Sequence, residues 1–181
     1  MTYVETILSQ TATVAKAQMK FMLAMFTAFF AFRGRATMTN LHRYGAPAPR
    51  TQHRWHRRFF DFSDFNRQLL EAHEVTSHRL IAALDCSFVP KSGKHTHGLA
   101  WFHNGCASRN ERGLEISLLA VVDLEEKTAY AIDAQQTPAD LPPNQTRVDF
   151  YLDQVRRQAP FLADCVKHLA VDGFYPLVPD P

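Results

Sequence analysis

Near residue 79 the apolar pattern of this chain changes its period. Before that point, residues such as Tyr3, Val4, Ile7 and Leu8 recur at steps of three and four, the spacing of one face of a helix. After it, apolar residues come in short blocks rich in Val, Ile and Leu, such as 80–84, 114–122, 128–134 and 166–171, which read as strands. A chain with this switch is neither all-α nor all-β. Its 181 residues allow one small module and one compact second domain. The expected division is 1–78, helical, and 79–181, strand-bearing.

In the first part, a helix is expected from Val14 to Phe32, apolar nearly all round in its second half and stopped at Gly34. The segment 37–44 reads as a short helix, ended by the turn Gly45-Ala46-Pro47-Ala48-Pro49. A second helix is expected over 50–60, and a third begins at a cap within 61–64 and runs through Glu71. Helix, tight turn and arginine-bearing helix form the outline of a helix-turn-helix. On its second helix, Arg50, Arg54, Arg57 and Arg58 fall on one face, with Trp55 and Phe59 on an inward face. A solvated basic helix on a bundle would give the same pattern.

In the second part, three strands (79–89, 114–122 and 128–134) are followed by a helix opened by Thr146-Arg147-Val148-Asp149, a capping box with Asp in place of Glu. Val148, Tyr151, Leu152 and Val155 form the expected buried stripe of that helix, and Pro160 its expected end. A fourth strand covers 166–171. Three antiparallel strands, a helix and a parallel strand match the first part of a ribonuclease-H-like fold, so the expected class is α+β/α/β.

Charge is divided unequally. Residues 1–80 carry 11 Lys/Arg against 5 Asp/Glu, and residues 81–181 carry 9 against 13. A basic front and an acidic rear suit a nucleic-acid grip joined to a metal-dependent carboxylate site. The three cysteines, Cys86, Cys106 and Cys165, are odd in number and irregular in spacing, which argues for a reducing, cytoplasmic setting. The apolar run 21–32 is too short to span a bilayer, so no membrane association is expected.

The chemistry is expected at two aspartates. Asp85 ends the first strand and Asp172 the fourth, and in the expected topology these strands are parallel neighbours, so both carboxylates reach one sheet edge. Two carboxylates held together repel unless divalent cations, Mg²⁺ or Mn²⁺, lie between them. Such ions would activate a hydroxyl or water and stabilise a leaving oxygen at a phosphodiester. Lys91 and Lys94, in the loop after Asp85, could hold a phosphate nearby. His95, His97, His103 and Cys106 fit no common zinc spacing and read as a polar loop facing DNA. Cys86 should point to the core and Glu115 should make a cross-strand pair.

The stretches Asp85-Cys-Ser-Phe-Val-Pro-Lys-Ser-Gly-Lys94, Gly98-Leu-Ala-Trp-Phe-His-Asn-Gly-Cys-Ala107 and Gly113-Leu-Glu-Ile-Ser117 resemble the catalytic-domain opening of bacterial insertion-sequence transposases of the DDE type. Asp133-Ala-Gln-Gln-Thr-Pro138, Arg147-Val-Asp-Phe-Tyr-Leu152 and Val171-Asp-Gly-Phe-Tyr175 continue the resemblance, and Phe32-Arg-Gly-Arg35 with Asn40-Leu-His-Arg-Tyr44 is similar to the family's DNA-binding region. The resemblance implies DNA transposition, with Asp85 and Asp172 as the first two catalytic and metal-binding carboxylates. It also implies partners: double-stranded DNA carrying transposon terminal repeats, and self-association or association with full-length transposase. The family's third acidic residue, a Glu on a later helix, has no counterpart here. With 9 residues after Asp172 (181 − 172), the expectation is a chain truncated before that residue and weak or inactive in strand cleavage.

Overall fold

The computed structural model describes residues 2–11, 14–72, 79–91, 93 and 95–172. The chain forms two compact units, Met1–Val75 and Thr76–Pro181. The architecture is α+β: N-terminal helices, then a mixed five-stranded sheet and a further helix. No helix among the described residues is long and apolar enough to cross a membrane.

The first unit holds α1 (Thr2–Gln10), α2 (Lys16–Ala31), α3 (Met38–Arg43), α4 (Pro49–His56) and α5 (Phe62–Ala72). Ile7, Leu8, Phe21, Met25, Leu41 and Phe65 are buried together, each full burial contributing roughly 1.5–3 kcal/mol. Trp55 stacks on Phe21 with ring centroids 5.4 Å apart, and Phe26 on Phe65 at 5.3 Å. The apolar surface of α2 is nevertheless not enclosed all round, since Phe30 is 81% exposed. That helix stops at Ala31, with extended backbone at Phe32, before Gly34 is reached.

The arginine-bearing helix is shorter than its sequence pattern suggests. It ends at His56, Arg57 caps it, and Phe59 lies outside it, 77% exposed instead of packed inward. The neighbouring Phe60 takes the inward role, 4.6 Å from the Phe62 ring and 5.7 Å from Phe65. Turning Phe60 inward requires the chain to leave the helix, and the Phe59 carbonyl freed there accepts a 2.8 Å hydrogen bond from the buried side chain of Gln18. Asp61 caps α5 through a 2.9 Å bond from the Asp64 N–H to its carboxylate.

The second unit is built on β1 (Leu80–Pro90), β2 (Ala100–Asn104), β3 (Arg109–Asp123), β4 (Thr128–Gln136), α6 (Arg147–Cys165) and β5 (Leu169–Val171). The sheet order is β2-β3-β1-β5, with β4 also paired to β3. Strand β1 runs antiparallel to β3 and parallel to β5. Strand β3 extends well beyond the expected block, and its first residues pair with β2, a strand the sequence pattern did not suggest. Gly113 sits where β1, β2 and β3 meet, opposite both Pro90 and Ala100. A Cβ there would fall 2.5 Å from the Phe88 ring and 2.6 Å from the Val89 carbonyl oxygen, so only glycine fits.

The pairing of Leu119 with Asp133 and of Ala120 with Ala131 leaves Ile132 as the extra residue of a β-bulge, where it is fully buried. It joins Ala82, Leu84, Leu119 and Val121 in the core, with Tyr151 and Leu162 contributed by α6. Helix α6 opens as expected: the Asp149 N–H donates to the Thr146 hydroxyl oxygen at 3.1 Å, and the Thr146 N–H to the Asp149 carboxylate at 2.8 Å. Hydrogen bonds to the Asp149 carboxylate from the Thr146 hydroxyl, and then from the Thr146 N–H, hold that carboxyl below its ordinary pKa. The helix does not end at Pro160 but carries it internally and continues to Cys165. A proline within a helix removes one backbone hydrogen bond without necessarily stopping the run. Strand β5 is short and exposed, so Asp172 follows an open edge, not a buried strand.

Candidate functional site

Parallel pairing of β1 and β5 matches Leu84 with Val171. Asp85 and Asp172 are therefore the next residues along two hydrogen-bonded neighbours, and both line one cavity of about 740 Å³. The alternation of β1 explains the side on which Asp85 lies. Ala82 and Leu84 point into the core, so Asp85 points away from it and is exposed. Its cross-strand partner Leu118 is likewise 39% exposed.

The opposite face of β1 supplies other cavity residues. Cys86 is half-buried and lines the cavity instead of sitting deep in the core. Glu115 of β3 and Tyr151 of α6 are both buried at the cavity wall, joined by a hydrogen bond from the Tyr151 hydroxyl to the Glu115 carboxylate. Glu115 pairs with Phe88 in the ladder, so its polar partner comes from the helix and not from the next strand. Burial, and then the bond to Glu115, push the Tyr151 hydroxyl well above the ordinary tyrosine pKa.

Arg147, in the first turn of α6, brings a cation to the same cavity. Its guanidinium lies 4.6 Å from the centre of the Phe102 ring and donates to the Trp101 carbonyl oxygen at 3.1 Å. Among the described residues no carboxylate forms an ion pair with it. In the sequence, Arg147 reads as the second residue of a capping box and as part of one stretch of the transposase resemblance, with no sign that it lines a cavity. What marks it as a cavity residue is its position over β2, and β2 was itself hidden in the sequence.

His103 also lines the cavity, from β2. Lys91 is exposed just beyond β1 and is not among the lining residues, while Lys94 lies outside the described residues. Among the described residues, no group of three or more His, Cys, Asp or Glu is gathered as a metal site. The donor set at Asp85 and Asp172 still suits Mg²⁺ or Mn²⁺, because these hard ions use one or two carboxylates and complete their shell with water and substrate phosphate.

In the first unit, Arg50 and Arg54 are exposed one helical turn apart on α4. Arg57 and Arg58 follow the helix instead of extending that face, and the Arg58 guanidinium lies 4.6 Å over the Trp55 ring. Gln52, on the inward face of α4, is fully buried and donates to the carbonyl oxygens of Met38 at 2.9 Å and Pro47 at 2.7 Å. One side chain thus ties α4 to the start of α3 and to the turn between them. No acidic residue occurs between Glu5 and Asp61.

Compared with known proteins, the sequence matches no family model and no curated protein.

Proposed function

We propose that this chain acts on DNA as a transposase of the DDE type, with Asp85 and Asp172 as two carboxylates of a divalent-metal site and the helical unit as its DNA grip. The observation that carries this reading is the register of β1 and β5, which sets the two aspartates level on parallel neighbours at one cavity. The strand order and the parallel pairing of β1 with β5 are compatible with a ribonuclease-H-like sheet.

When bound, a Mg²⁺ or Mn²⁺ ion at these carboxylates would polarise a phosphodiester and lower the pKa of an attacking water or 3′-hydroxyl. Arg147 is held by the Trp101 carbonyl and the Phe102 ring, leaving guanidinium N–H groups to bind and orient a phosphate oxygen. The Tyr151–Glu115 bond stiffens the cavity wall behind the aspartates. On α4, Arg50 and Arg54 are the side chains proposed to enter a groove of the duplex.

Among the described residues the cavity presents two exposed carboxylates, Asp85 and Asp172, and two alone are expected to support weak cleavage at most. Incubation with terminal-repeat duplex and Mg²⁺ or Mn²⁺ tests this. Little nicking is expected, and any nicking should vanish in Asp85→Asn and Asp172→Asn. Nicking that survives both substitutions would remove the site.

The basic character of residues 6–60, free of any acidic side chain, favours a second reading, a DNA-binding protein without catalysis that competes with active transposase. In that case duplex binding persists unchanged in both aspartate variants and no metal-dependent nicking is seen.

A further inference from the structure

Three arginines converge on one shallow pocket in the helical unit, to whose lining α4 contributes no residue. Arg33 and Arg35, on the segment between α2 and α3, line it together with Arg43 at the end of α3, and Thr37 and Thr39 add hydroxyl groups. The pocket measures about 330 Å³. All three arginines are exposed, and among the described residues no carboxylate pairs with any of them. Cations gathered in this way repel one another unless an anion lies between them.

The backbone of the pocket is held in place from behind. The Asn40 side-chain amide donates to the carbonyl oxygens of both Arg33 and Arg35, at 2.8 and 3.0 Å. Gly34 between them has φ +86°, the left-handed conformation that lets both carbonyls turn toward one amide. The Thr37 N–H donates to the Arg35 carbonyl oxygen at 2.9 Å as well. Such fixation reduces the backbone ordering cost of binding.

We propose that the pocket of Arg33, Arg35 and Arg43 binds a backbone phosphate of duplex DNA and thereby sets the register of α4 on the duplex. Guanidinium forks match phosphate oxygens in charge and geometry. The assignment to a nucleic-acid phosphate, over a free one, rests on Gln52, which bonds α4 rigidly to Met38 at the start of α3. A phosphate seated beside α3 therefore fixes where Arg50 and Arg54 fall. Phosphate contacts position a protein on DNA, while base contacts specify sequence. This inference rests on the DNA-binding half of the proposed function and is independent of its catalytic half.

The test is fluorescence anisotropy of the full chain with two unrelated duplexes over a range of KCl concentrations. The expected result for the variant combining Arg33→Gln, Arg35→Gln and Arg43→Gln is a uniform loss of affinity, on the order of tenfold, for both duplexes. Its slope of log K against log salt should be shallower by about 0.9 for each phosphate contact removed. Circular dichroism should be unchanged, and Asn40→Ala, which leaves every charge in place, should lower affinity in the same direction. An unaltered salt slope in the triple variant overturns the proposal, as does a wild-type chain that binds neither duplex. Saturable binding of inorganic phosphate that the triple variant loses, with duplex affinity unchanged, assigns the pocket to free phosphate and also overturns it. Failure of the catalytic reading registers elsewhere, as nicking indifferent to Asp85 and Asp172.

Discussion

Tyr151 of α6 donates its hydroxyl hydrogen to the carboxylate of Glu115 on β3, and both side chains are buried at the wall of the cavity that Asp85 and Asp172 share. A carboxylate in that position is tolerable only while it is hydrogen-bonded. Tyr151→Phe keeps the ring and removes the donor, so it should destabilise the second unit by about 1–3 kcal/mol in urea denaturation. Glu115→Gln retains an acceptor oxygen for Tyr151 and should cost less. A negligible loss in both variants would mean that ring packing, and not the bond, holds this wall.

The same bond sets a pH dependence. The Tyr151 pKa is raised by burial and by Glu115, whereas an unfolded tyrosine ionises near about 10. Below that pH Tyr151 is neutral in both states and its stabilisation is fully present. As pH rises beyond it, the unfolded chain loses its proton first, and stability falls. Urea melts between about pH 9 and 11 should therefore show a steeper decline for wild type than for Tyr151→Phe. Parallel curves would contradict the assignment.

Gln52 gives a third prediction, in the helical unit. Its side-chain amide serves two backbone carbonyls, those of Met38 and Pro47, from a fully buried position. Gln52→Ala opens a cavity and leaves both carbonyls without that donor, which should cost about 2–4 kcal/mol. Duplex affinity should fall with it, because the same amide holds α4 against α3. A variant with unchanged thermal stability would show that the two helices are fixed by other contacts.

Gly113 gives a fourth. A methyl group at this position would meet the Phe88 ring and the Val89 carbonyl oxygen, and a backbone atom cannot swing aside as a side-chain tip can. Gly113→Ala should lower stability by about 1–3 kcal/mol through displacement of β1 against β3. Pairing this change with Phe88→Ala should recover little, since the contact with the Val89 carbonyl remains. Full recovery in the double variant would place the whole conflict at the Phe88 ring.

Much of the helix and strand order was legible in local chemistry. The Thr146–Asp149 box and the turn after Tyr44 follow from rules that act over three or four residues. What the pattern hid depended on partners distant in the chain. Strand β2 spans five residues and carries His103 and Asn104, so nothing local marks it as a strand; β3 alone gives it a ladder. Phe59 and Phe60 are equally apolar, and only the rings of Phe62 and Phe65 decide which one turns inward. Glu115 was visible as a residue but not as a wall of the cavity, because Tyr151, its partner, lies 36 positions away. Asp85 and Asp172 could be found as strand-end carboxylates, and their level register is a property of the sheet.

Calorimetric titration of Mn²⁺ into the full chain, its Asp85→Asn variant and its Asp172→Asn variant tests most directly whether the two aspartates act as one metal site. The account predicts saturable binding to the wild-type chain that either single substitution abolishes, with circular dichroism unchanged. Mn²⁺ binding that persists undiminished in both variants, or its absence from the wild-type chain, would contradict it.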